Sequence, residues 1–182
     1  MRRAMVLVAV VLFVTACGAD SGGARPLTDE ERAVATALDA SIEAESAATD
    51  EPFTDAESRR CLAESIVREV GVARLAELGV TADGVVESTV LFERMTATEL
   101  DTIADVSVEC SDLESIFIEE GGMSAGSARC FADRLTDEGT YADLILAGLK
   151  NEEPANEVFV AMLAAGSDCL TTEEFAEFFG TG

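Results

Sequence analysis

The sequence predicts an all-α body, a tandem repeat of two small helical units, each stapled by a disulfide. Three observations predict it. Apolar residues recur at helix spacing, as in Val34, Leu38 and Ile42 or Leu62, Ile66 and Val70. A Ser or Thr followed three residues later by Glu opens several of these stretches, at Thr28/Glu31, Thr54/Glu57, Thr96/Glu99 and Ser111/Glu114. In that box the hydroxyl and the carboxylate each accept a hydrogen bond from the other residue's backbone N–H. Finally, a cysteine-bearing stretch is written twice, and strand signals are confined to Val85-Val86 and Thr89-Val90-Leu91-Phe92.

In chain order, residues 1–16 have the form of a secretory signal peptide. Arg2 and Arg3 supply the charge, Ala4 to Val14 the apolar run, and Thr15-Ala16 the small residues before a cut. The run is about half the ~20 residues that a spanning helix needs. The tetrapeptide Val14-Thr15-Ala16-Cys17 resembles the lipobox of bacterial lipoproteins. The resemblance implies a lipidated Cys17 after cleavage, attached to the cell membrane on its extracytoplasmic face. Acyl burial contributes about 0.8 kcal/mol per CH₂, so two or more chains anchor stably. Residues 17–27 are then a flexible tether and 28–53 an N-terminal helix (about 28–46) with a linker.

The repeat units are expected at 54–122 and 123–182. Residues 61–80 align without a gap on 130–149, sharing Cys61/Cys130, Glu69/Glu138, Ala73/Ala142, Leu75/Leu144 and Gly79/Gly148. Residues 100–121 align on 159–180, with Cys110/Cys169 and Gly121/Gly180 in step. The first unit carries an insertion over 80–98, and Gly121, Gly122 and Gly126 form the joint between units. Gly79, Gly121, Gly148 and Gly180 are expected to end helices in the left-handed conformation.

Five cysteines is an odd number, and lipidation of Cys17 leaves four to pair in an oxidising compartment. The simplest pairing is within units, Cys61–Cys110 and Cys130–Cys169. Loops of about 50 and 40 residues each remove ~4 kcal/mol of unfolded-state entropy. Cys61–Cys130 with Cys110–Cys169 is the other symmetric choice, and four cysteines allow three connectivities. The Cys-[Leu/Phe]-Ala-acid pattern with a second cysteine further on resembles uncharacterised exported helical proteins of high-GC Gram-positive bacteria, over about 54–180. That resemblance implies no activity.

Composition narrows the function. The chain carries 36 acidic and 12 basic side chains, a formal charge of −24, which becomes −26 when Arg2 and Arg3 leave with the signal. Such a body is repelled by nucleic-acid phosphates, so no nucleic-acid partner is expected. There is no histidine, which removes Ser-His-Asp and Cys-His catalysis and the imidazole ligands of most zinc sites. No CxxC, GxxxxGK[ST] or GxGxxG occurs, and Thr81-Ala82-Asp83-Gly84 offers too few oxygens for a calcium loop. No metal, cofactor or catalytic residue is therefore assigned. Acid pairs such as Asp29-Glu30-Glu31 and Glu173-Glu174 fall in first helical turns, where the dipole favours them. Glu119-Glu120 and Glu152-Glu153 read as solvated helix ends.

The expected function is a membrane-anchored binding or protein-interaction module of the cell envelope, not an enzyme. The alternative is a small-molecule binder or carboxylate-dependent enzyme, which needs a concave apolar pocket with convergent polar groups. One candidate interface stands out: Phe175, Phe178 and Phe179, spaced i, i+3, i+4 on the last helix. Such a stripe either covers the second unit's core or docks a protein partner.

Overall fold

A computed structural model describes residues 25–49 and 55–180. These form ten α-helices and one two-residue-strand hairpin. Helix α1 spans Asp29–Thr49. Its start is the expected box, with the Thr28 N–H donating to Glu31 (2.8 Å) and the Glu31 N–H to Thr28 Oγ1 (3.2 Å). Two details differ from the sequence reading. Leu27 belongs to the core, not to a tether, and Arg25 pairs with Glu31. Helix α1 also runs on through 47–49, because its small residues there continue the turn with no breaker.

Helices α2 (Ala56–Val70) and α3 (Val72–Leu78) follow, separated by Gly71 at φ 82°. The described cap of α2 is Asp55, whose carboxylate accepts from the N–H groups of Glu57 (2.9 Å) and Ser58 (2.8 Å). The box expected at Thr54 falls on a residue outside the described ones. Gly79 ends α3 at φ 94°, the left-handed position that a Cβ would strain. Val80–Thr81 and Gly84–Val85 then pair antiparallel as β1 and β2. The strand expected at 89–92 is instead part of helix α4 (Ser88–Glu93). Leu91 and Met95 are both buried, and their i, i+4 spacing suits a helical approach to the core, not a strand.

Helix α5 (Ala97–Cys110) opens on the complete Thr96/Glu99 box. Helix α6 (Leu113–Glu119) is capped by Asp112, one residue later than expected, through the Ser115 N–H (3.1 Å). The Ser111 hydroxyl is occupied, donating to the Ser107 carbonyl (2.7 Å) at the end of α5. The remaining helices are α7 (Ala125–Asp137), α8 (Thr140–Leu149), α9 (Asn156–Cys169) and α10 (Thr172–Phe179). Of the four glycines expected in the left-handed region, only Gly79 is there; Gly122 and Asn151 take positive φ near the others. Gly148 stays inside α8, which continues through Leu149 before the chain turns. Gly180 is extended at φ −69°.

Disulfides join Cys61 to Cys110 and Cys130 to Cys169, each with Cα atoms 5.5 Å apart. Each ties the sixth residue of one helix to the last residue of a fourteen-residue helix, α2 to α5 and α7 to α9. Two apolar clusters result. The first runs from Leu27 to Cys110 and is aliphatic, with α1 laid across α2, α3 and the hairpin. The buried Arg59 on α2 pairs with Asp39 (3.5 Å) and Glu43 (3.2 Å) on α1. The second cluster holds Leu113, Phe117, Met123, Ala128, Phe131, Ala132, Leu135 and Ala165. Helix α6 thus contributes to the second cluster, so the clusters divide after Cys110 and not at 122. Helix α8 bridges them, with Leu146 and Leu149 against the first and Tyr141 against the second.

Candidate functional site

Cys61, Cys110, Cys130 and Cys169 are all consumed in the two disulfides. Cys17 and the rest of the lipobox lie outside the described residues. No described helix is long and apolar enough to cross a membrane. Among the described residues no three acidic or cysteine side chains gather as a metal-ligand group.

The aromatic stripe of α10 splits between covering and contact. Phe178 meets Phe117 edge-on at 6.0 Å and Phe131 at 5.6 Å, and Phe179 meets Phe131 at 6.3 Å. Phe175 stacks on Phe179 at 4.7 Å. The seat for this pair is Gly166 on α9, where a Cβ would come within 2.5 Å of the Phe179 ring and 3.2 Å of the Phe175 ring. All three rings remain half-buried, so the stripe lies over the second cluster with its outer edge in solvent.

Glu174 fixes α10 in place. It accepts from the Thr171 N–H (2.9 Å) in its own capping box, and also from the Ser124 N–H (2.8 Å) and the Ser127 hydroxyl (2.8 Å) at the start of α7. These donors, the Ser124 amide first, hold its carboxyl far below the usual range. Glu99 is lowered to about 2 by its hydrogen bond to Arg74 and then by the Thr96 amide. Glu31 is lowered to about 2 by Arg25 and then by the Thr28 amide. Asp55 is lowered by the Ser58 hydroxyl and amide. A carboxylate held ionised by several donors is a poor proton donor or base near neutral pH. These four groups serve as helix caps.

Two surface features lie outside the sites expected from the sequence. On α9 the core-facing side chains are Val158, Met162, Ala165 and Cys169 at helical spacing. Phe159 and Val160 sit beside that row and are 57% and 62% exposed. The signal was available: a large apolar pair adjoining an already complete apolar row has no place in the same core.

The other feature is an open groove of about 510 Å³ where the C-terminal ends of α6 and α10 approach. Ile116, Phe117 and Phe178 form its floor, Glu119, Glu120 and Glu177 its rim, and Gly121-Gly122 one wall. Glu120 also acts on Tyr141, whose phenol is pushed up chiefly by burial and further by that charge. A smaller depression, about 220 Å³, lies between α1 and α2 among Arg32, Asp39, Arg60 and Glu64. Its mixed charges favour no single class of ligand. Comparison of the chain with protein-family models, with curated proteins and with solved structures found no match.

Proposed function

We propose that this chain is a lipid-anchored module of the cell envelope, working outside the cytoplasmic membrane by binding another molecule rather than by catalysis. The observation that carries the binding part is the solvent-facing pair Phe159 and Val160 on α9, large apolar groups left outside both clusters. Exposed apolar surface of this kind marks interaction sites when it is contiguous and rimmed by polar groups. Here Asn156 and Glu157 flank it on the same helix, and Glu152 and Glu153 precede it. The anchor rests on Val14-Thr15-Ala16-Cys17 and on the parity of the five cysteines, of which the two disulfides use the other four.

We also read the two halves as copies of one unit. Their disulfide helices match in order, in cysteine position and, for α5 and α9, in length. A duplicated scaffold with divergent outer faces suits recognition, since the staples preserve the fold while surfaces vary.

Two variants test this reading. Cys17→Ser abolishes incorporation of an alkyne fatty-acid analogue and releases the protein from the membrane fraction; persistent labelling refutes the anchor. Phe159→Ser with Val160→Ser leaves the unfolding free energy within about ±0.5 kcal/mol, as exposed positions do. The same pair is expected to abolish the main crosslinked species formed in the native membrane. An unchanged crosslinking pattern removes α9 as the contact.

A further inference from the structure

We propose that the groove at the ends of α6 and α10 docks a basic, apolar-faced peptide segment of a partner protein. The inference rests on the binding-module reading but not on the lipid anchor.

The floor is apolar. Ile116 and Phe178 are half-buried and Phe117 lies beneath them, so the surface offered is aliphatic and aromatic. The rim is wholly acidic. Glu119, Glu120 and Glu177 line it and no basic side chain does. Several carboxylates elsewhere in the body are matched by arginine: Glu99 by Arg74 at 2.7 Å, Glu114 by Arg129 at 3.0 Å, Asp168 by Arg134 at 3.0 Å. The three rim carboxylates have no ion-pair partner among the described residues. The last turns of two helices border the groove.

Charge complementarity selects the occupant. An anionic ligand is repelled, and so is a second copy of a chain with formal charge −24. A bare inorganic cation gains nothing from the apolar floor. A segment that alternates Arg or Lys with Leu, Ile or Phe satisfies both parts, its apolar anchors on Ile116 and Phe178 and its cations on the rim. Arginine adds attraction to aromatic faces. The groove is open to solvent, which suits side chains of a peptide segment better than an enclosed small molecule.

The chain carries its own reporter. Tyr141 is the sole tyrosine and there is no tryptophan, and Tyr141 already feels the charge of Glu120. A short amphipathic peptide of arginine and leucine, free of tyrosine and tryptophan, is titrated into the full body at low salt while Tyr141 emission is followed. Saturable binding that changes Tyr141 emission is expected. Glu119→Gln, Glu120→Gln and Glu177→Gln together should weaken it about tenfold, as the loss of three partly screened pairs implies. The same charge change in Asp83→Asn, Glu87→Gln and Glu93→Gln, beside the first cluster, should alter it by less than about twofold.

Equal weakening by the two triple variants overturns the site, because binding is then to the body's overall charge. Absence of binding overturns it as well. Equal affinity for an arginine–serine peptide shows that the floor takes no part and also refutes the proposal. Tetraphenylphosphonium competing as well as the peptide would replace the peptide with a small organic cation. None of these results touches the α9 crosslinking test, so failure of the groove and failure of the binding reading are separable.

Discussion

Cys110 and Cys169 each close a helix of fourteen residues, yet the chain does different things after them. After Cys110, α6 leaves the first cluster and places Leu113 and Phe117 in the second. After Cys169, α10 folds back over its own half and lays Phe178 and Phe179 on Phe131. The first half is covered from the N-terminal side by α1, a helix of 21 residues with no counterpart later in the chain. The second half is covered by two short helices instead, and α9 keeps Phe159 and Val160 in solvent. One stapled helix pair can therefore be closed by a long aliphatic lid or by an aromatic patch. The second solution leaves two large apolar side chains in solvent.

The staples test this comparison most strongly. Replacing all four paired cysteines by serine should cost about 4 kcal/mol per disulfide. The sum, about 8 kcal/mol, is more than half of a typical total of 5–15 kcal/mol, so a much lower urea midpoint is expected by circular dichroism. Native-like helicity after the change would show that packing alone closes both halves. Next in size is Phe131→Ala. Phe131 is fully buried at the meeting point of Phe117, Phe178 and Phe179, so a loss of about 4 kcal/mol in urea unfolding is expected. Leu75→Ala, fully buried in the first cluster, should cost about 3 kcal/mol. If the aromatic site tolerates truncation better than the aliphatic one, the second cluster is not closed by those rings.

A third experiment addresses where the halves divide. A segment of residues 111–182 should exceed one of residues 123–182 by about 3 kcal/mol, the burial of Leu113 and Phe117. Equal stability would return α6 to the first half. Gly166→Ala probes the seat of the stripe. The crowding against Phe179 costs about 2 kcal/mol, and the better helix former returns about 1 kcal/mol. A net loss near 1 kcal/mol is expected, and a net gain would mean the rings are not held there.

The smallest effect is the acid limb of the stability curve. Glu31 and Glu99 are both lowered to about 2 in the folded chain by donors that hold the charged form. Their stabilisation is present above the usual carboxylate range and is lost as pH falls from about 4.5 towards 2. Glu99→Gln should flatten that limb in acid titrations of the unfolding midpoint. An unchanged slope would show that the Thr96 cap works without its ionised partner.

How much was legible depended on range. Thr28/Glu31 and Thr96/Glu99 were readable because a capping box closes within four residues and needs no neighbour. The boundary at Ser111 failed by one residue, since a preceding helix claimed the hydroxyl through Ser107. Gly148 failed because α8 continues past it, and Gly121 because the turn puts Gly122 at positive φ instead. The segment 89–92 looked like a strand because β-branched and aromatic residues suit either state, and only docking of Leu91 and Met95 chose the helix.

By itself, then, the sequence determined the helical class, the caps at Thr28 and Thr96 and the simplest pairing of the four cysteines. All of these follow from spacing within a helix or from residues falling in step along the chain. Tertiary structure alone decided that α6 serves the second cluster, that Phe178 and Phe179 are partly covered while Phe159 and Val160 are not, and that Glu119, Glu120 and Glu177 share one groove. The physical reason is that helical periodicity sets which side chains share a face, whereas the neighbour that covers the face is fixed by how helices far apart in sequence pack together.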